Sequence, residues 1–191
     1  MTKQIFKGSA MLNPVPVVLV TSRNTEGKVN VFTVGWTGTA CTRPPMVTIA
    51  VRPERLSYEF ISENGEFAIN LPTADMVKKV DYCGVKSGRI NDKIAEMNFK
   101  LEPSEKISVP IITQCPVALE CKVVNNIPLG SHNLLIAEII SVHVEENLID
   151  QNGKIHLEKA NLLCYSHGEY FPVPSKSIGK FGFSVKRKNK K

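Results

Sequence analysis

No stretch of this 191-residue chain approaches the roughly 20 consecutive apolar residues of a membrane span. The first residues, MTKQIFKGSAMLNP, carry no long apolar core, so no signal peptide is expected and a cytoplasmic setting is. GxxxxGK[ST] is absent, which removes a P-loop, and GxGxxG is absent, which removes the dinucleotide fingerprint. There is no G-x-S-x-G elbow for a hydrolase nucleophile. The four histidines, His132, His143, His156 and His167, lack metal-ligand spacing. Five cysteines form no CxxC pair, which argues against a zinc ribbon. Their odd number argues against a secreted disulfide framework, so reduced thiols are expected. Cys41 is expected to be a buried small hydrophobe like most free cysteines.

Acidic residues are missing from positions 173–191, which hold seven of the lysines and arginines. The formal charge of +6 is therefore a property of the tail, and the rest of the chain carries −1. A run such as KRKNKK suits a solvated end better than a nucleic-acid surface, so residues 1–185 are expected to form one domain and 186–191 a basic tail. Neither nucleic acid nor membrane is an expected partner. Apolar residues at 42% are enough for a packed core.

Valine-rich VPVVLVTS, residues 15–22, predicts a buried strand, and residues 29–36 a second one across the turn RNTEGK. Pro44 and Pro45 interrupt the chain before a third strand over 46–51. RLSYEFISENG predicts a short helix with Leu56, Phe60 and Ile61 on one face, ended by Gly65. EFAINLP predicts a strand. TADMVKKVDYCG predicts a second helix, capped by Thr73 and stopped at Gly84. Asp92 opens a short third helix. VALECKVVNN and SHNLLIAEIISVHVEEN predict two long strands around IPLGS, and the second is apolar on both sides, so both are expected to be covered. Many strands, few helices and no βαβ alternation indicate a mainly β protein, an antiparallel barrel with peripheral helices.

One stretch carries most of the polar chemistry: VNVFTVGWTGTACTRPPMVTIAVRPERLS, residues 29–57. Gly35 and Gly38 allow a ligand close to the backbone, and Thr37, Thr39 and Thr42 offer hydroxyls. Trp36, the single tryptophan, is expected in the core, with a ligand ring as the other use. Arg52, Arg55 and Ser57 stand beside a predicted helix start, where free N–H groups favour a phosphate. Lys93 and Ser87, in KSGRINDK, add a second cation and a hydroxyl.

The order of these pieces resembles the flavin reductase-like family, the FMN-binding split barrels that include flavoredoxin. The shared series is T-x-x-W, then P-P, R-x-[ST] and G-E-F-x-x-N-[LIV]-P. Here it reads TVGW, RPP, RLS and GEFAINLP. SGRINDK, PLGSHNLLIAEIISV, YSHGEYF and SIGKFGFS continue it. The resemblance implies an antiparallel split β-barrel, FMN near the interface of a homodimer, and electron transfer from NADH or NADPH. It implies that Thr33, Gly35, Trp36, Thr37, Gly38, Thr39 and Ala40 line the flavin ring. Arg55 and Ser57 would hold the phosphate with Lys93 and Ser87 assisting, Arg52 would be a further cofactor-binding residue, and His132 would stand near the flavin or nicotinamide. Ser57 replaces the more usual threonine, and either hydroxyl can donate. No catalytic side chain and no metal are implied. Two alternatives stay open: a flavoredoxin-type FMN carrier reduced by a redox partner protein, and a binding module without activity.

Overall fold

The valine-rich run at residues 15–22 does not form one strand. In the computed structural model, which describes residues 1–185, it divides at Val17. β1 (Val15–Pro16) pairs with a hairpin from the end of the chain, and β2 (Val18–Arg23) enters the main sheet. There follow β3 (Val29–Val34), β4 (Thr37–Thr42), β5 (Pro45–Val51), α1 (Leu56–Asn64) and β6 (Glu66–Leu71). A 3₁₀ turn over Ala74–Met76 leads into α2 (Val77–Val85), then α3 (Lys93–Glu96). The short strands β7 (Leu101–Glu102) and β8 (Ile111–Ile112) pair with each other. The long β9 (Val117–Pro128) and β10 (Asn133–Val144) form a hairpin, and β11 (Leu163–Ser166) and β12 (Glu169–Pro172) close the described chain. The basic run 186–191 lies outside the described residues.

Seven strands form one antiparallel sheet in the order β3-β2-β6-β9-β10-β5-β4. Alternation sorts their side chains. Val18 and Val20, Phe32 and Val34, Ile49 and Val51, and Leu135 and Ala137 all share one interior core. Strands from both ends of the sheet contribute to it, so the sheet curls into a barrel that stays split between β3 and β4. α1 plugs one end: Ile61 is buried in the same core, and Gly65 in a left-handed conformation, φ 71°, returns the chain to β6. α2 covers the outer side of β2 and β3, where Met76, Val80 and Cys83 pack on Leu19 and Val31.

Three expectations change. Gly84 lies inside α2 rather than ending it, because Thr33 Cβ would stand 3.4 Å from any added Cβ there and the helix packs tightly on β3. Thr73 makes no side-chain cap. The outer face of β10 is not fully covered: Ile140 and Val142 are exposed. α2 lies over β2 and β3 instead.

Fully buried Glu120, on β9, pins the loop before β8. It accepts from the backbone N–H groups of Glu105 at 2.9 Å, Lys106 at 2.7 Å and Ile107 at 3.1 Å, and from His143 Nε2 at 2.5 Å. Burial alone would raise its pKa; the bonds from His143, Glu105 and Lys106 outweigh that and hold it below the ordinary value.

Candidate functional site

The inward-facing residues of β2 and β3 turn polar at one end of the barrel. Val18 and Val20 are followed by Ser22; Val34 and Phe32 are preceded by Asn30. Both polar groups meet α1. Ser22 Oγ donates to Ser57 Oγ at 3.0 Å, and Asn30 Nδ2 donates to it at 2.7 Å. Ser57 is fully buried, so the structure holds it beneath the surface rather than on it. Its two bonded neighbours leave its own hydroxyl proton as the group still to be placed.

α1 begins at Arg55 without a side-chain cap, so its first N–H groups have no acceptor from a side chain. The cations gather here. Arg52 pairs loosely with Glu54 at 3.5 Å, both exposed. Arg55 makes no salt bridge among the described residues. Lys93 is not the surface charge its loop setting suggests: it is 3% exposed, and its Nζ donates to the Cys83 carbonyl at 3.3 Å, with no salt bridge among the described residues. Burial, and after it the repulsion of Arg55, lower its pKa to about 8, while the Cys83 thiol acts the other way. Two cations that disfavour each other, next to an uncapped helix start, make a place complementary to an anion.

Lys93 and Asn30 line a cavity of about 480 Å³ beneath the 88–94 loop. Gly88 is required there, since a Cβ would overlap the Asn30 side-chain amide. Arg89, at the rim, is paired with Glu59 at 2.8 Å, and Ser87 is exposed and accepts from the Arg89 N–H.

A second cavity of about 230 Å³ is lined by Thr33, Gly35, Trp36, Arg52, Arg55 and His132, among others. Trp36 is 41% exposed, which corrects the expected core position; its carbonyl accepts from Ala50 N–H at 2.8 Å, and the indole is left at the cavity wall. On the other side of Gly35 and Trp36, Val17, Tyr165 and Tyr170 complete a third cavity of about 230 Å³. The two tyrosine rings meet edge-on at 5.4 Å, and Tyr170 donates to Asp81 at 3.2 Å. His132 belongs to the β9–β10 hairpin tip, which Asn133 ties to Tyr58 of α1 at 2.7 Å.

The structure thus brings Gly35, Trp36, Arg52, Arg55 and His132 to one cavity and sets Lys93 in another beside Asn30 and Ser57. The Thr33 hydroxyl donates to the Val80 carbonyl and is turned toward α2, so Thr33 presents backbone to the cavity. Thr37, Gly38, Thr39 and Ala40 do not form a loop: they lie in the edge strand β4, hydrogen-bonded to β5, and line none of the three cavities. Cys41, on the same strand, is half-buried rather than a core residue. Asn30 and Ser22 escape motif reading, while Gly88 and the two tyrosines fall within SGRINDK and YSHGEYF without a role being legible there. Asn30 and Ser22 leave one signal, polar residues at inward positions of otherwise apolar strands.

Among the described residues no group of three or more His, Cys, Asp or Glu could hold a metal, and no helix is long and apolar enough to cross a membrane. The flavoredoxin of Desulfovibrio vulgaris (Miyazaki F) superposes with a TM-score of 0.90 at 27% identity, covering 97% of this chain and all of that one. The flavoredoxin from Methanosarcina acetivorans gives 0.85 at 32% identity, with the same coverage. A protein of Archaeoglobus fulgidus is 31% identical over 148 residues, 78% of this chain and 82% of its own. Residues 11–174 match the flavin reductase like domain, and the chain belongs to that family of split-barrel proteins.

Proposed function

We propose that this protein binds FMN and is an NAD(P)H:flavin oxidoreductase, passing electrons from a nicotinamide to flavin or a downstream acceptor. The observation that carries the reading is Lys93, a buried ammonium with one backbone carbonyl and no counter-ion among the described residues, beside Arg55 and the uncapped start of α1. Its lowered pKa corresponds to roughly 3 kcal/mol of unfavourable burial, which a bound anion would offset. A phosphate joined to a planar ring fits this donor set and the aromatic, glycine-bearing walls next to it. The names of the flavoredoxins above, and of an FMN-binding protein from Thermus thermophilus with the same fold, support the choice of FMN.

FMN, when bound, supplies the hydride and electron chemistry. The protein's residues hold and orient it. Arg55, Lys93 and the α1 N–H groups neutralise the phosphate. Ser57, fixed by Ser22 and Asn30, directs its remaining proton. The backbone around Gly35 and the Trp36 indole offer a flat wall, and the Arg52 and Arg55 charges favour an anionic ring over a neutral one. The tyrosine-lined cavity gives a nicotinamide ring an apolar, open approach. Hydride transfer needs no side-chain acid, so no catalytic residue is assigned.

Arg55→Ala tests the phosphate assignment. FMN affinity should fall by about 1.5–3 kcal/mol, while riboflavin, which lacks the phosphate, should bind both proteins alike. Equal FMN affinity in the variant by calorimetric titration would remove Arg55 from the phosphate site. A second reading, an FMN carrier reduced by a partner protein, draws on the likeness to two flavoredoxins. It differs in one respect, the absence of reduction by free nicotinamides.

A further inference from the structure

His132 reaches its cavity on a turn that its own backbone holds weakly. β9 ends at Pro128 and β10 begins at Asn133, and the turn between them closes on the bond from Leu129 N–H to the His132 carbonyl at 2.9 Å. Gly130 sits in the left-handed region at φ 101°, and the Leu129 side chain is exposed. A turn with so few bonds and so little burial belongs to the low-stability end of a fold. Yet its last residue is part of the wall that Trp36, Arg52 and Arg55 also form.

Side chains supply what the backbone does not. Asn133, the first residue of β10, donates through Nδ2 to the Tyr58 phenol oxygen at 2.7 Å, and Asn126 of β9 donates to the same oxygen at 3.0 Å. Asn133 Nδ2 also donates to Asn126 Oδ1 at 3.0 Å, which closes a triangle between both strands and α1. Two donors occupy the acceptor capacity of the phenol oxygen. Tyr58 is anchored in turn, its ring packed against the interior core. The triangle thus stands one residue from His132 and is built on the residue that follows Ser57. Within the turn, Ser131 Oγ lies 3.0 Å from His132 Nδ1, and no described residue is hydrogen-bonded to Nε2.

We infer that Tyr58 is a positioning residue for His132: by clamping both strands of the hairpin to α1 it holds the imidazole at the cavity wall, with Nε2 left to hydrogen-bond a bound flavin. The flavin contact rests on the reading of that cavity given above; the clamp does not. Removing the phenol oxygen leaves two amides without their acceptor, while the ring and its packing stay. The turn then loosens and the imidazole loses its fixed place. A Tyr58 that served only the fold would lower stability without passing any effect through His132.

Tyr58→Phe, His132→Ala and the double variant form the test, with circular dichroism to confirm folding. Backbone amide relaxation of the flavin-free full chain reads the turn directly. Residues 129–132 should show order parameters near the rigid value of about 0.85 in the unaltered protein and fall toward about 0.6 in Tyr58→Phe. FMN titration is the second readout. Tyr58→Phe should raise the FMN dissociation constant about two- to tenfold, and by less than about twofold once His132 is replaced by Ala. A turn equally ordered in both proteins overturns the inference. So does a loss of affinity of the same size with and without the imidazole, because Tyr58 then acts by another route. An unaltered protein that takes up no FMN overturns the flavin reading and the contact built on it, and the order parameters alone then decide the clamp.

Discussion

Lys93 is a buried cation that the barrel tolerates at a cost. Its pKa near 8 means that the folded protein carries a charge at neutral pH that its surroundings disfavour. Lys93→Met keeps the length of the side chain and removes the charge. Without flavin, that variant should be more stable than the unaltered protein by about 1–3 kcal/mol, since replacing buried charge by apolar volume is stabilising. With flavin, its FMN affinity should be at least about tenfold lower. Denaturant unfolding and FMN titration read the two effects, and a variant that loses stability without losing affinity would contradict the role. The pH dependence has a definite sign. A bound phosphate favours the ammonium, so affinity holds below about pH 8 and declines as pH rises through it. The flavin-free fold gains stability over the window above about 8, where the folded state has released the proton and the unfolded state has not. Sequence alone locates Arg55, Lys93 and Ser57 through short motifs. It does not tell which of them is buried, because burial follows from α1 entering the barrel end and the 88–94 loop closing on Asn30.

Elements were more legible than their ends. Short apolar, valine- and isoleucine-bearing runs identify β2, β3, β5 and β6, and Gly65 correctly closes α1. The run of small and hydroxyl residues after Trp36 carries no apolar strand pattern, yet it is strand β4. Backbone pairing with β5 needs no apolar side chain, and an edge strand has one side in solvent. Long-range pinning is invisible in the sequence, as with Glu120, whose four donors come from positions 13 to 23 residues away. Glu120→Gln removes the charge and turns one acceptor into a donor facing backbone N–H groups. We expect a loss of about 2–4 kcal/mol, with faster amide exchange at Lys106 and Ile107. Unchanged exchange there would show that the loop is held by other means. In the unaltered protein this contribution is complete above the ordinary carboxylate range near 4.5 and is lost as pH falls through the lower folded value.

The turn over residues 149–158 gives another pH signature. His156 lies between Asp150 at 2.9 Å and Glu158 at 2.7 Å; those bonds, Asp150's first, raise its pKa. The bond from His156, with help from the Lys154 and Asn152 N–H groups, lowers Asp150 to about 2. The His156 contribution is full below its ordinary value of 6.5 and fades as pH rises through the higher folded one. The Asp150 contribution is full above 3.8 and fades as pH falls through about 2. The turn should therefore be tightest between about pH 4 and 6.5. Exchange of the His156 amide, bonded to Leu148, should be slowest in that window after correction for the intrinsic rate. A flat profile would contradict the assignment.

At the scale of the whole molecule, the split barrel sets two cavities on either side of Gly35 and Trp36, at the crossing from β3 to β4, and a third beside the start of β3. The fold class could be read from the order of strands and turns, because each piece obeys local rules. The incompletely covered face of β10 could not, since nothing in a strand's own pattern says whether another element, or another copy, will lie on it. The function argued here joins these features: a site for a phosphate, a flat wall beside it, and an open approach for a second ring. The most direct test is the visible spectrum of the purified protein supplied with FMN, recorded anaerobically before and after addition of NADH or NADPH. A bound-flavin band near 450 nm that bleaches with at least one nicotinamide is the expected result. A protein that binds no FMN would contradict it outright, and one that holds FMN yet responds to neither nicotinamide would replace the reductase with the carrier.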